Sequence, residues 1–499
     1  MSSGSTSTST LARLRLADET GRIAKMAPYT IALAYPSPYA AAMSSLGYQR
    51  IYRAIMETPN LACERAFLDD AAETDLLRET RPLTYESLRP LEAFPVIAVS
   101  VAYELEIGGL VAMLDAAKIP VRREDRDDQH PFVLAGGPLT FSNPLPLSPI
   151  VDAIVVGEAE AIVIVVLEKL RELEGKSRDV QLDAIAEIPH VFVPSRHGGV
   201  LPPVAKVDDA MIPAWAPIRT PHAVLSNMFL IETERGCSRA CTYCVMRRST
   251  NGGMRLASME TILGIIPADA KRVGLVGAAV SDHPKITQIV DALADRGVEV
   301  GLSSLRPDRL SDAFVGALKR AGYKTLTTAM DGPSERLREA LNRKARIRHL
   351  DKCAELARAH KMERMKLYLM IGLPDETDAD IDECIAFSTE LSRIIPLSLG
   401  IAPFCSKRNT PLDGMPFAGI DVVGGRLDRL KRGLKGRVDV RSTSAKWAWV
   451  EWVLAQGGDA EGRAVIDAVR AGGRFADYKR AFAAMAPTRA RRTLAIAQV

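Results

Sequence analysis

Short apolar runs alternate with stretches of helical periodicity along most of this chain. Thr30 to Ala34 is the first run, and Tyr35-Pro36-Ser37-Pro38 breaks it before a helix-like stretch from Met43 to Met56. Val96 to Val101 reads as a second buried strand, with a helical stretch following to about Lys118. Phe132 to Ala135 and Ala153 to Val156 are two more strands, and a helix is expected from Ala161 to Leu173. Continuous apolar runs of this length between helices belong to a mainly parallel sheet covered on both faces. Residues 25–195 are therefore expected to form an open, Rossmann-like α/β domain. A polar Ser/Thr-rich tail, residues 1–24, precedes it and reads as disordered.

Residues 196–225 carry Pro202, Pro203, Pro213, Pro217 and Pro221 without sustained periodicity, the pattern of an extended linker. The alternation resumes over residues 226–424, with strand-like runs at Met228–Glu232, Arg272–Val276, Val298–Ser303, Lys324–Thr328, Lys366–Ile371 and Leu397–Ala402. Helical patterns separate most of them, so a partial (β/α)6 TIM-type barrel is expected, its chemistry at the strands' C-terminal ends. Residues 425–499, with Trp447, Trp449 and Trp452 near their start, read as a small helical C-terminal region. The fold class is α/β: an N-terminal open-sheet domain, a partial barrel and a helical end.

Bulk properties narrow the function less than they exclude. The 499 residues are 47% hydrophobic and 25% charged, an ordinary soluble composition long enough for two or three domains. A net charge of +4 gives no strong nucleic-acid signal. The N-terminus lacks an apolar signal region, and runs such as Ile150–Val156 and Ala161–Leu167 are far shorter than a membrane span, so a cytoplasmic protein with no membrane partner is expected. Seven cysteines, an odd number, do not read as a secreted disulfide framework, and three of them fall within eight residues.

Those three lie in the run Glu234-Arg235-Gly236-Cys237-Ser238-Arg239-Ala240-Cys241-Thr242-Tyr243-Cys244, directly after the first barrel strand. Cys thiolates are the usual ligands of iron–sulfur clusters, and four of them would close every iron site. Three close cysteines with no fourth leave one iron open to a substrate. The spacing also fits one face of a helix, which would make them small core residues; Gly236, Ser238, Arg239 and Thr242 argue instead for a loop. Three thiolates and a distant His could hold a structural zinc, but no His neighbours the run, and His283 is the nearest downstream.

Cys-x3-Cys-x2-Cys with an aromatic before the last Cys, placed after the first strand of six βα units, resembles the radical S-adenosylmethionine (SAM) superfamily. The resemblance implies that Cys237, Cys241 and Cys244 ligate a 4Fe-4S cluster whose open iron is chelated by SAM. It also implies that one electron, from a reducing protein such as a flavodoxin or ferredoxin, splits SAM into methionine and a 5′-deoxyadenosyl radical. Tyr243 lies within the motif. Gly277, Ala278 and Ala279 stand where the family has a Gly-Gly-Glu-like segment that takes the SAM amine on backbone carbonyls, so only the backbone role carries over. Ser303, Ser304 and Arg306 end the third strand, with Arg306 suited to a bidentate grip on the SAM carboxylate. Asp331 stands in for a Glu expected near SAM, and Ile371, in Met370-Ile371-Gly372-Leu373-Pro374, matches a fifth-strand pattern near adenine. Asp282, His283 and Cys405 are further rim residues, each with an ordinary loop or packing reading beside the functional one.

The N-terminal region carries its own resemblance. Ala135-Gly136-Gly137-Pro138, Asn143-Pro144, Asp152 and Val156-Gly157-Glu158-Ala159-Glu160 resemble the cobalamin-binding-type domain of one large radical SAM branch. Gly136, Gly137, Gly157 and Glu158 are the cofactor-binding candidates. The Asp-x-His-x-x-Gly loop that supplies a histidine to cobalt is missing, and His130 and His190 sit in no such loop. The sequence permits either cobalamin without an axial His or a domain that kept the fold and lost the cofactor. The leading expectation is a cobalamin-dependent methyltransferase acting on an unactivated carbon. The alternatives are a cobalamin-free radical SAM enzyme, working by hydrogen abstraction with rearrangement or by sulfur insertion, and a non-catalytic Cys-rich module binding zinc or RNA. The substrate is not legible.

Overall fold

The computed structural model describes residues 8–68, 81–246, 253–303 and 305–485. Its first sheet has six strands: β1 (Tyr29–Tyr35), β2 (Leu61–Phe67), β3 (Val96–Ser100), β4 (Phe132–Gly136), β5 (Ala153–Val155) and β6 (Val191–Phe192). They lie in the order β2-β1-β3-β4-β5-β6; the first five are parallel and β6 is antiparallel to β5. Both faces are buried, because Ile31, Leu33 and Leu134 pack into one apolar cluster while Ala32, Ile97 and Val133 pack into another. The order reverses between β1 and β3, and in open α/β sheets such a switch point leaves a crevice at the strands' carboxyl ends.

Strand β2 escaped the sequence reading because Glu64 and Arg65 interrupt its apolar pattern. Arg65 is fully buried, with Nη1 and Nη2 each 2.8 Å from Glu19 and Nε 2.6 Å from Glu86. Glu19 belongs to the segment expected to be a disordered tail. That expectation is corrected: Thr8–Ala17 is a helix, Ala12 is buried, and Arg15 donates to the Tyr85 hydroxyl at 2.7 Å. Its anchors are polar and lie far along the chain, so no local periodicity reported them.

The second unit contains β7 (Phe229–Glu232), β8 (Glu234–Gly236), β9 (Met254–Leu256), β10 (Arg272–Val276), β11 (Glu299–Leu302), β12 (Thr325–Asp331), β13 (Arg364–Ile371), β14 (Leu397–Pro403) and β15 (Asp439–Ser442). Strands β7, β10 and β11 form one parallel sheet and β12 to β15 another, and a parallel bridge between Leu305 and Thr328 ties the two just beyond β11. The result is a partial barrel with the strands in sequence order. Strand β15 is an addition to the six expected; its sequence Asp-Val-Arg-Ser has no apolar run, and it is recruited to the edge of β14.

Two further expectations change. The Pro-rich residues 196–225 are a packed strap rather than a free linker. Ala205 bridges Gly157, and the Ala214–Ala216 stretch runs antiparallel to β7, with Trp215 opposite Ile231. The C-terminal region is helical, but its boundary differs, since residue 425 falls inside the helix Ile420–Gly433. Helices Ala445–Gln456, Asp459–Arg470 and Phe475–Ala483 close one face of the N-terminal sheet, adding Val450, Leu454, Val465 and Tyr478 to its core. Gly462 is required there, since a Cβ would stand 2.0 Å from the carbonyl oxygen of Pro146. Among the described residues no helix is long and apolar enough to cross a membrane.

Asn143 fastens this closure. Its buried side-chain amide donates to the carbonyls of Leu454, Ala455 and Gly457 at 3.1, 3.0 and 2.9 Å, serving the end of one helix from the other domain. Asn143→Ala leaves those buried acceptors short of a donor, and a loss of about 1–3 kcal/mol is expected in urea unfolding. An unchanged midpoint would show that the helices hold without it.

Candidate active site

Strand β7 ends at Glu232, and within a dozen residues the chain delivers the three cysteines to the barrel's carboxyl edge. Cys237, Cys241 and Cys244 are free and half-buried, in turns rather than a helix, which removes the reading of three core residues on one helical face. Burial pushes each thiol up, and the three are close enough that Cys237 and Cys241 each add to the rise at Cys244. Among the described residues no three His, Cys, Asp or Glu side chains have the geometry of a single-ion site. His283 cannot complete one: its Nε2 faces the Ala257 carbonyl at 2.9 Å and its Nδ1 accepts from the Lys285 amide at 3.1 Å. Three soft donors on one half-buried loop, with no fourth ligand at hand among the described residues, fit a cluster that keeps an open iron better than a closed zinc site.

The loop is pinned from two sides. The Thr242 N–H donates to the Leu341 carbonyl at 3.1 Å, and the Asn342 side chain donates to the Ala240 carbonyl at 3.0 Å. Arg343 pairs with Asp331, which also takes a hydrogen bond from the Tyr243 hydroxyl. Asp331 adopts φ +63° to make this turn. Tyr243 packs on Leu337, Leu341, Leu373 and Phe404, an apolar floor contributed by the helix Glu335–Ala340 with its C-cap and by the ends of β13 and β14. Asn342 carried no sequence signal, because its contact with Ala240 spans 102 residues of the chain, and Arg343 none, because its partner Asp331 lies across the helix between them.

The remaining candidates divide. Gly277 and Ser303 are brought together, the Ser303 hydroxyl donating to the Gly277 carbonyl at 3.2 Å. Ala278 is exposed at the same edge, while Ala279 is buried. Ser304 lies outside the described residues. Ile371 is buried at the end of β13, and its carbonyl accepts from Phe404 at 2.8 Å. Arg306 is corrected: its guanidinium is buried, with Nη1 2.5 Å from Asp282 and Nη2 2.5 Å from Asp308, so its donors are already committed. Asp308 also holds Arg239 of the cysteine loop at 2.9 Å, which makes Arg306 a support of that loop.

Gly157 and Glu158 are corrected as well. A Cβ on Gly157 would meet the Ala205 amide at 2.5 Å, so the strap occupies the space read as a cofactor cradle. Glu158 is buried between Arg255 and Arg235 and accepts from the Val207 amide at 2.8 Å. At Gly137, φ +105° and a Cβ clearance of 2.6 Å to the Val101 carbonyl explain the glycine by close packing on the end of β3. Only Gly136 leaves room, its nearest neighbour being the Val155 carbonyl at 3.9 Å. Cys405 donates to the Ala448 carbonyl at 3.1 Å and is a packing residue.

Glu234 carries no signal of its own in the sequence. It is 1% exposed; its Oε1 accepts from the Ala279 amide at 2.7 Å, and its Oε2 has no hydrogen-bond partner among the described residues. Burial raises its carboxyl to about 8, helped by Glu232 and Asp282 and opposed by the Ala279 N–H.

Comparison with known proteins fits this geometry. Residues 47–194 match the family model for radical SAM proteins, N-terminal, and residues 231–388 match that of the radical SAM superfamily. The chain belongs to the radical SAM superfamily. It is 27% identical over 396 residues to an uncharacterized protein of Methanocaldococcus jannaschii, covering 78% of this chain and 80% of that one. A tRNA-2-methylthio-N(6)-dimethylallyladenosine synthase of Acidithiobacillus ferrooxidans is 26% identical over 230 residues, 41% of this chain and 50% of its own length. Among solved structures, the radical SAM methyltransferase TsrM of Kitasatospora setae, with cobalamin and a 4Fe-4S cluster bound, superposes with a TM-score of 0.58. The match spans 92% of this radical SAM chain and all of TsrM at 14% identity, a likeness of fold.

Two outcomes are expected. Cys237→Ala, Cys241→Ala or Cys244→Ala each abolishes iron uptake, measured by iron assay after anaerobic reconstitution. Cys353→Ala and Cys384→Ala keep it, since both thiols are core groups pushed up to about 12. The raised Glu234 carboxyl also predicts a pH effect on metal-free protein. Its contribution to stability is whole below about pH 4.5, its unfolded value, and is lost as pH rises toward its folded value of about 8. Glu234→Gln should flatten that decline in urea midpoints between pH 5 and 9; parallel curves for the two proteins would refute it.

Proposed function

We propose that this radical SAM enzyme transfers a methyl group to an unactivated carbon with cobalamin as carrier. The observation that carries the reading is that the sheet's switch point faces the barrel's carboxyl edge. Glu104, in the turn after β3, is buried and accepts from Lys407 Nζ at 2.7 Å; Lys407 follows β14 and also bonds Glu451 at 2.7 Å. The turns after β1 and β3 are tied to each other beside that contact: Glu106 accepts from the Ser37 hydroxyl at 3.0 Å and the Ala102 amide at 2.5 Å, and Tyr103 stands 46% exposed.

Ser37, Ala102 and Tyr103, the partly exposed residues of these turns, and Gly136 at the end of β4 would line a planar cofactor there. Neither histidine of the open-sheet domain is placed to reach its metal. His130 lies before β4, at the opposite edge, bonded to Asp127 at 2.7 Å. His190 is beside β6, three strands from β3 and so about 14 Å off, with Nδ1 committed to the Pro203 carbonyl at 2.8 Å. When bound, the cluster and SAM supply one-electron cleavage of a sulfonium, and cobalamin supplies a methyl carrier. The protein's part is placement: three thiolates leave one iron open, the Gly277–Ala279 and Ser303 backbone forms the SAM side, and the Lys407 contact seals the domains around both. An electron donor such as a flavodoxin or ferredoxin completes the system.

The partial likeness to a methylthio-transferring synthase favours a second reading, sulfur insertion without cobalamin. Anaerobic reconstitution with iron, sulfide and hydroxocobalamin separates the two. Methyl transfer predicts cobalamin retained through gel filtration, with a cob(II)alamin EPR spectrum lacking nitrogen superhyperfine splitting, and SAM cleavage that depends on the corrin. Full SAM cleavage by protein that retains no cobalamin supports the second reading.

A further inference from the structure

We propose that Lys366, on the inner face of the barrel, holds an anionic group of the substrate, a carboxylate or a phosphate. This names a substrate class for the cysteine rim and rests on the reading of that rim as the reaction site. Strand β13 alternates strictly. Met365, Leu367, Leu369 and Ile371 are buried in the core shared with the outer helices, while Arg364, Lys366, Tyr368 and Met370 face inward and keep access to solvent. The interior of a closed (β/α) barrel is a packed core of side chains. Here the β7 side is filled, by Met228 and Leu230 lying over Gly274 and Gly301. The β13 side is open: Tyr368 is 40% exposed, and its ring lies against Gly400, where a Cβ would stand 2.7 Å from it.

Charge decides what the open half takes. Lys366 Nζ lies 4.6 Å from the centroid of the Tyr368 ring and has no ion-pair partner among the described residues. Its row across the sheet runs Thr327, Lys366, Ser398, Asp439. The acid in that row, Asp439, is paired with Arg441 at 3.1 Å. Glu363 leans to Lys324 at 4.0 Å, and Glu299, at the start of β11, pairs with Arg272 at 3.2 Å. An inward-facing cation that no carboxylate answers draws an anion from solution, and an ammonium offers three donors to carboxylate or phosphate oxygens. Lys366 stands four residues below Met370, which packs on the same apolar floor as Tyr243, a rise of about 13 Å along the strand. A substrate that reaches from the cysteine rim to Lys366 lays an apolar body past Met370 and the Tyr368 ring, its anionic end lowermost.

The test titrates the full chain with phenyl phosphate, phenylacetate and uncharged benzyl alcohol, read by saturation-transfer NMR. The proposal predicts that at least one anion binds about tenfold more tightly than benzyl alcohol. Lys366→Met, which keeps an unbranched stem beside the Tyr368 ring and removes the charge, brings the anions down to the level of benzyl alcohol, whose own affinity stays within about twofold. Lys366→Arg keeps the preference. Phenyl phosphate ahead of phenylacetate assigns a phosphorylated substrate, and the reverse order a carboxylate. Anions bound no more tightly than benzyl alcohol by wild-type protein overturn the proposal. So does a Lys366→Met protein that retains the preference, because other cations then hold them. Should Lys366→Met misfold by circular dichroism, Lys366→Gln is judged by the same two results. Iron uptake is assayed separately: its failure in wild-type protein sinks the reading of the cysteine loop, while the anion titrations judge Lys366.

Discussion

One guanidinium lies where the two halves of the molecule and the cysteine loop meet. Arg235, 13% exposed, holds Glu232 at the end of β7 at 2.7 Å and reaches Glu160 of the N-terminal domain at 2.9 Å and Glu158 at 3.6 Å. Arg255, opposite Arg235 on β9, grips Glu158 from the other side. Removing such a centre strands several carboxylates out of water, which costs more than the pairs themselves contribute. The cost falls two residues before the first cysteine, so the placement of that loop is bound to the docking of the domains.

Around this anchor the loop is confined in layers. Arg239 reaches down to Asp308 and, through it, to Arg306 and Asp282 on the β10 and β11 side. Asn342 and Arg343 close from the β12 side, and Tyr243 rests on the apolar floor. Three half-buried thiols are thereby held at one rim by contacts that use none of the sulfurs as a main support. Elsewhere at the barrel's carboxyl edge, the Lys407 contacts with Glu104 and Glu451 tie the turn after β3 of the open sheet to the end of β14. Carboxyl edges of parallel strands are where both architectures place ligands, and this fold turns the two edges toward each other.

Much of this was legible in the sequence, where the physics is local. The buried strands β1, β3, β4 and β5 are nearly continuous apolar runs, the six main barrel strands are short runs spaced by helical patterns, and Cys-x3-Cys-x2-Cys after the first of them carries the family resemblance. What failed to read is held by charge or by distant partners. Strand β2 hides Arg65, which is buried only because Glu19 and Glu86 meet it. Gly157-Glu158 has the form of a cofactor turn, yet its room is taken by the strap and its charge by two arginines. Arg306 has the right chemistry for a carboxylate, and two of the protein's own carboxylates claim it. Glu234 is conspicuous only once Gly277 is seen beneath it.

The central claim is that the cysteine loop and the switch-point crevice form one reaction space. The most direct measurement is pulsed EPR on protein reconstituted with iron–sulfur cluster and cobalamin, reduced so that cluster and cob(II)alamin are both paramagnetic. The account predicts a dipolar interaction between the two centres, with both signals broadened relative to samples holding either alone. Two independent, unbroadened spectra from fully loaded protein would place the corrin elsewhere and contradict it.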